Sequence, residues 1–332
     1  LNLEGSTQES QAKHGSGDPN NSLDSPENFA ITDINRPLVQ REGGLMLLLD
    51  GKQVALALQA PLRDRITKFI STHRRKPGLA VVIVGENPAS QVYVRNKVKT
   101  TQNLGMESFH FELPQNISEL ELLKKVRELN ADVKVDGILV QLPLPPHLNA
   151  EKILAAIDPQ KDPDGLTITN LGLLFAGQKR VAPCTPWGVM EILKYYKIPI
   201  AGTRACVIGR SNIVGKPMAH LLLEAQATVT ICHSKTVDLM RHTRDAEIVV
   251  VAAGRERFIG REAFAKDAVV IDVGMHRPTQ GSFAGKLCGD VRFEELEGHV
   301  RAATPVPGGV GPMTIQILME NTVCLAELRV GG

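Results

Sequence analysis

Between Arg204 and Leu223 the chain passes from a short apolar segment, Arg204–Ile208, through Gly209, Arg210, Ser211, Asn212, Ile213, Val214, Gly215, Lys216 and Pro217 into the helix-like stretch Met218–Leu223. Strand, glycine-rich turn and helix in that order leave few folds open. Glycine lets the backbone approach a pyrophosphate, and the first turn of the helix offers free amide donors at the positive end of its dipole. Apolar segments at Thr228–Cys232, Ile248–Ala252 and Ala268–Val273, each followed by loop or helix, continue the alternation expected of a parallel sheet with helices on its faces. The turn departs from G-x-G-x-x-G, because Ser211 stands at the second glycine and Gly215 is displaced. Taken alone it also fits a tight strand-to-helix turn that binds nothing.

A second block of the same kind lies upstream: an amphipathic stretch from about Gly51 to His73, a strand at Leu79–Val84, a helix from about Ser90 and a buried strand at Asp136–Gln141. A length of 332 residues suits about two domains. We expect an α/β protein with one domain over residues 47–183 plus 306–330 and a dinucleotide-binding domain over 184–305. Thr185 and Pro186 suit the cap and first position of a bridging helix reaching about Tyr196, and a last helix from Pro312 to about Leu328 is expected to return across the first domain. Residues 1–46 are polar and aperiodic, the composition of a disordered tail, and their acids set them apart from an Arg-rich, acid-poor transit peptide.

Composition narrows the function. Lys plus Arg number 38 against 36 Asp plus Glu, and aromatics make up 4%, so neither a strong cationic field nor a base-stacking platform argues for nucleic acid. No apolar run approaches the roughly 18 residues of a membrane span. The five cysteines, Cys184, Cys206, Cys232, Cys288 and Cys324, are odd in number and too scattered for a disulfide framework or paired zinc ligands, which suits reduced thiols in a cytoplasmic setting and no metal site.

The second strand of the dinucleotide block ends at Cys232, His233, Ser234 and Lys235, with no carboxylate where an NAD site usually holds the ribose hydroxyls. Ser234, Lys235 and the planar guanidinium of Arg210 suit a 2'-phosphate instead, which favours NADP. In the first block Ser90, Tyr93 and Lys97 share one helix face, a spacing that a plain solvated face would also show. A Tyr-x-x-x-Lys pair is found in short-chain dehydrogenases, but here it precedes the glycine turn and sits in the other block. Gln141 closes a buried strand, at the end where open parallel sheets bind ligands, and its amide suits a lysine amine. The turn Lys161-Asp162-Pro163-Asp164-Gly165 offers a carboxylate to paired ring donors, although ordinary turn chemistry explains it equally well. Thr304–Thr314, dense in proline and glycine, suits close backbone approach to a ligand or a plain crossover.

Together, the segments Ser90–Lys99, Gln141–Pro143, Lys161–Gly165, Pro183–Pro186, Gly209–Pro217, His233–Thr236 and Thr304–Thr314 resemble the bifunctional methylenetetrahydrofolate dehydrogenase/methenyltetrahydrofolate cyclohydrolase family, from about Leu47 to Leu328. The resemblance implies a folate-binding catalytic domain and a Rossmann NADP-binding domain with a cleft between them. It implies Lys97 as catalytic lysine, Tyr93 as the tyrosine that stacks on the pterin, Gln141 as the residue holding the lysine, and Asp164 as pterin anchor. Substrate contacts are implied for Ser90, Tyr93, Lys97, Val140, Gln141, Leu142, Asp164, Pro307, Gly308, Gly309, Val310, Gly311 and Pro312. Cofactor contacts are implied for Gly209, Arg210, Ser211, Val214, Gly215, Ser234 and Met275, and a homodimer through the Rossmann domain. The chain departs from the family at Pro163, where valine is usual, and at Met275 and His276, where Ile and Asn are. A dehydrogenase lacking the cyclohydrolase, an NAD-using one, a shikimate dehydrogenase-type enzyme and a silent dinucleotide-binding scaffold are the competing readings.

Overall fold

Leu79–Val84 is apolar at every position, a pattern that only a strand covered on both faces can accommodate. In the computed structural model, which describes residues 46–331 with Asn87 excepted, this run becomes the wholly buried strand β2. The tail expected over residues 1–46 lies outside the described residues apart from Met46, which is buried in the second domain's core.

The first part of the chain runs β1 (Leu47–Leu48), α1 (Gly51–His73), β2 (Gly78–Val84), α2 (Pro88–Asn103), β3 (Glu107–Leu113), α3 (Glu119–Ala131), β4 (Gly137–Val140), α4 (Ala150–Ala155) and α5 (Ile168–Phe175). After the bridging helix α6 (Cys184–Tyr195) come β5 (Arg204–Ile208), α7 (Gly215–Glu224), β6 (Thr228–Cys232), α8 (Leu239–Arg244), β7 (Ile248–Val251), β8 (Val269–Asp272), β9 (Ala302–Ala303) and α9 (Val310–Val330).

Two parallel sheets result, one ordered β3-β2-β4 and the other β1-β9-β8-β7-β5-β6. In the second sheet the chain leaves β5 on one side to form β6 and then crosses to the other side for β7. That reversal makes the carboxyl ends of β5 and β7 the crevice where open sheets bind ligands.

The first sheet is pinned at its opposite end. The buried Asp136 carboxylate accepts both Arg75 guanidinium nitrogens at 2.6 and 2.8 Å, the Gly78 amide at 2.9 Å and Arg329 from α9 at 2.8 Å. Ser118 and Glu121 form a capping box on α3. Lys161, expected only as part of a polar turn, is buried and donates to the Leu129 and Asp132 carbonyls at 3.1 and 2.6 Å, so it closes the carboxyl end of α3.

Two local expectations differ from the structure. Leu47–Leu48, read from the sequence as the start of the first domain, adds in parallel to β9 at the edge of the second sheet. Its backbone groups find partners there, and Leu49, which follows, is fully buried. Thr185 does not cap the bridging helix, which starts one residue earlier with no side-chain cap. Its hydroxyl instead lies 3.0 Å from that of Thr314 on α9. The last helix packs on α1 and α6 and reaches β2 and β4, so apolar residues of both sheets share one core around it.

Candidate active site

On α2 the residues Val94, Lys97 and Thr101 fall on one stripe, which Leu104 continues just past the helix end, and all four are buried. Lys97 therefore points inward, unlike a residue on a plain solvated face, and only 7% of it is exposed. Its Nζ donates to Gln141 Oε1 at 2.9 Å. Gln141 is held from both sides: its amide N–H continues the ladder to the Val82 carbonyl at 2.8 Å, and its Nε2 donates to the Leu142 carbonyl at 2.6 Å. Burial pushes the Lys97 ammonium below the ordinary lysine value, with the Asp164 carboxylate opposing that shift.

The turn that carries Asp164 divides its labour. Asp162 is buried and spends its Oδ2 on the Thr167 amide at 2.7 Å and the Asn170 side chain at 3.0 Å. Asp164 is left facing Lys97 and the Cys184 thiol, and burial drives its carboxyl above the usual range while Lys97 holds it down. Gly165 has a φ of +67°, and a Cβ there would come within 2.9 Å of the Ala182 carbonyl carbon, so only glycine lets the turn dock on the start of α6. Cys184 Sγ donates to the Pro163 carbonyl at 3.3 Å, and Asn321 of α9 donates to the same carbonyl at 2.7 Å. Neither Cys184 nor Asn321 was foreseen. The signal available was a cysteine and an amide placed on otherwise apolar helix faces.

A second contact joins the two domains. Tyr93, one turn before Lys97, is half-buried, burial raises its phenol, and its hydroxyl donates to Met275 Sδ beyond the end of β8. A Cβ on Gly311 would lie 3.1 Å from the Met275 methyl and 3.8 Å from the Tyr93 hydroxyl, which brings the head of α9 to the same place. Upstream, Gly308 has a φ of +110° and its carbonyl accepts the Lys52 amide at 3.2 Å, seating the Pro307–Gly309 loop on the start of α1. Val140 is buried as the last residue of β4 and Leu142 follows Gln141; Val310, Gly311 and Pro312 open α9. Ser90 lies within α2, but its side chain is outside the described residues.

At the β5 turn the backbone itself makes the cradle. A Cβ on Gly209 would meet the Ala252 carbonyl oxygen at 2.3 Å, and one on Gly215 would meet the Gly209 carbonyl oxygen at 2.2 Å, so strand, turn and helix α7 close tightly only with glycine at both positions. Ser211 replaces the second glycine and braces the turn: its Oγ accepts the Val214 and Gly215 amides at 3.2 and 3.3 Å, while the N-cap of α7, Val214, has no capping side chain. Arg210, Ser234 and Lys235 are exposed around this turn, and among the described residues their side chains have no partner. A free guanidinium, hydroxyl and amine, with no carboxylate beside them, fit the phosphates of an NADP molecule, including a 2'-phosphate. Among the described residues no cluster of three His, Cys, Asp or Glu could hold a metal ion, and no helix is long and apolar enough to cross a membrane.

Two family models match the chain: the tetrahydrofolate dehydrogenase/cyclohydrolase catalytic domain over residues 49–164 and the NAD(P)-binding domain of the same family over residues 183–330. The chain is 57% identical over 285 residues to the bifunctional protein FolD of Bdellovibrio bacteriovorus, covering 86% of this chain and 98% of that one. It is 52% identical over 283 residues to FolD of Burkholderia thailandensis, with 84% and 96% covered. Among solved structures, FolD from Campylobacter jejuni superposes with a TM-score of 0.81 at 45% identity, covering 86% of this chain and 99% of that chain. FolD from Trypanosoma brucei, complexed with NADP and an inhibitor, gives 0.82 at 37% identity with the same coverage.

Proposed function

Because this chain belongs to the tetrahydrofolate dehydrogenase/cyclohydrolase family, we propose that the Lys97 corner and the β5 turn are the two halves of one bifunctional active site. The enzyme oxidises 5,10-methylenetetrahydrofolate to the 5,10-methenyl cation with NADP and hydrolyses that cation to 10-formyltetrahydrofolate, two steps of one-carbon metabolism. The observation that carries the site assignment is the buried Lys97–Gln141 pair with Asp164 facing it.

NADP, when bound, supplies the hydride acceptor of the first step. Gly209, Ser211, Val214 and Gly215 would hold its pyrophosphate at the head of α7, with Arg210, Ser234 and Lys235 at the 2'-phosphate and Met275 near the cleft. Asp164 accepts hydrogen bonds from pterin donors and sets the ring against that face, while Tyr93 stacks beside it. In the second step water adds to the methenyl carbon, and Lys97, whose charged form burial disfavours, takes in its neutral form the proton that this addition releases. Gln141 fixes the direction of the amine by accepting one of its hydrogens. The C–N5 bond then breaks as N5 gains a proton and the carbinol loses one, leaving the formyl group on N10. Positive charge on the arriving methenyl cation further favours the neutral amine.

We assign the folate unit to residues 49–183 with 306–330 and the dinucleotide unit to 184–305 with Leu47–Leu48. The homodimer rests on β6. This edge strand leaves Ile231 uncovered in a parallel sheet, Leu223 of α7 and Val237 after β6 are exposed as well, and unpaired apolar edges invite a second copy. A cytoplasmic setting agrees with five unpaired thiols and with bacterial relatives.

The test is an absorbance time course with 5,10-methylenetetrahydrofolate and either NADP or NAD, following reduced cofactor and methenyl intermediate separately. Reduced NADP with rapid passage of methenyl to formyl product is expected. Methenyl that accumulates and decays at its uncatalysed rate would leave a dehydrogenase alone, and sedimentation of wild type against Ile231→Lys checks the dimer.

A further inference from the structure

Two loops leave the second sheet at the carboxyl ends of its strands, Ala252–Glu256 after β7 and Val273–Arg277 after β8. One buried carboxylate ties them together. Asp290 Oδ2 accepts the Ala253 and Gly254 amides at 2.7 and 3.0 Å, and its Oδ1 accepts the Arg255 amide at 3.0 Å. With three backbone donors already aimed at it, this carboxylate is an acceptor. The ring of His276 therefore donates its Nε2 hydrogen to Oδ1, across 2.7 Å.

His276 is fixed on its own side too. Its backbone pairs with Cys288 in both directions, at 2.8 and 3.0 Å, and its neighbour Met275 receives the Tyr93 hydroxyl from the catalytic helix α2. Beneath the pair, Asp272 accepts the Gly274, Asp290 and Val291 amides at 2.9, 3.0 and 2.9 Å, so Asp290 cannot shift without breaking the bond from its own amide to Asp272. A Cβ on Gly274 would fall 2.3 Å from Asp290 Oδ1, which shows how closely the Met275 loop is laid over the carboxylate.

We propose that His276 is a positioning residue for hydride transfer: through Asp290 it locks the loop after β7 to the loop that carries Met275 to Tyr93. This fixes the dinucleotide side of the cleft relative to the folate side. The inference rests on the function proposed above. Lys97, Gln141 and Asp164 lie on other elements, so the hydrolytic step does not depend on the tie.

The experiment compares wild type, His276→Ala and His276→Gln, the last chosen because its Nε2 reaches about as far as the imidazole Nε2. Hydride transfer is measured from 5,10-methylenetetrahydrofolate and NADP, and hydrolysis from added methenyltetrahydrofolate. Hydrogen–deuterium exchange of the peptide spanning residues 252–257 is followed without cofactor. His276→Ala is expected to lower the dehydrogenase kcat about tenfold while hydrolysis stays within about twofold, since misplacement of one reactant acts on the step that needs both. Exchange in the 252–257 peptide is expected to quicken roughly tenfold with the rest of the sheet unchanged, and His276→Gln is expected to restore both readouts. Unchanged exchange, or a parallel fall of both activities that His276→Gln does not repair, overturns the inference. A wild type that reduces no NADP overturns the functional reading, while the exchange data still decide whether His276 makes the tie.

Discussion

The Lys97 corner and the β5 turn solve opposite problems. At the first, polar groups are buried and satisfy one another: Lys97 is paired with Gln141, Asp162 is spent on Thr167 and Asn170, and Asp164 faces Lys97. At the second, Arg210, Ser234 and Lys235 stand in solvent with their donors free, and the glycine backbone makes the shape. Proton transfer needs groups whose affinities are displaced, and burial is what displaces them. A highly charged ligand needs donors that are free until it arrives. One corner is tuned by burial, the other is exposed to solvent.

The comparison breaks first at Lys97. Lys97→Met should remove cyclohydrolase turnover by about 10²–10⁴-fold, the usual worth of a positioned acid or base, while hydride transfer survives in part. Undiminished formyl production from added methenyl substrate would falsify the role given to this lysine. Asp164→Ala should cost both activities about a hundredfold, because the anchor's charge-assisted bonds serve both steps. Loss of one activity alone would mean that Asp164 is not an anchor.

At the solvent-exposed corner the expected effect is smaller. Arg210→Ala should raise KM for NADP roughly 10- to 100-fold, the worth of one or two hydrogen bonds to a charged group, and leave KM for NAD nearly unchanged. Equal changes for the two cofactors would detach Arg210 from the 2'-phosphate. A pH series sharpens the contrast further. Burial lowers the Lys97 pKa, so the neutral base is populated at lower pH than for a free lysine; the cyclohydrolase rate should rise with pH along a limb centred below about 10.4. That limb should be missing from the NADP-binding constant.

The smallest effect comes from Asp272, where the second domain has a buried acid of its own. Burial pushes its carboxyl up to about 7, against three amide donors that favour the charged form. A raised folded-state value means that folding favours the protonated acid. Its contribution is therefore complete below the unfolded value of about 3.9 and is lost as pH rises through about 7. Melting temperatures taken between about pH 4 and pH 8 should carry this falling component, and Asp272→Asn should remove it.

Much of this architecture was legible in the residues. The apolar runs that became β2, β4, β5, β7 and β8 are covered on both faces, and such strands announce themselves by composition. Strand β3 does not, because Glu107–Leu113 lies at a sheet edge and alternates polar with apolar residues. Two-residue strands such as β1 and β9 carry no periodicity at all. At the site, the glycine turn could be read because backbone geometry demands glycine. The inward direction of Lys97 could not be read from its spacing to Ser90 and Tyr93; the stripe of Val94, Thr101 and Leu104 held that information. The Asp290–His276 pair lies within the single β8–β9 connection, beside the His276–Cys288 bridge, and it is the Asp290 bonds to the loop after β7 that only the sheet brings about; no local pattern marks them.

The long helix α9 comes last among the described elements, yet it lies against β2 and β4 of the first sheet and against α1 and α6. During synthesis the first sheet must wait, one face incompletely covered, until α9 has left the ribosome. Early strand β1 waits as well, since its partner β9 is made just before α9. The two halves therefore cannot mature in turn as beads on a string. They close together once α9 is made, and a chain stopped short of Val310 would leave both unfinished.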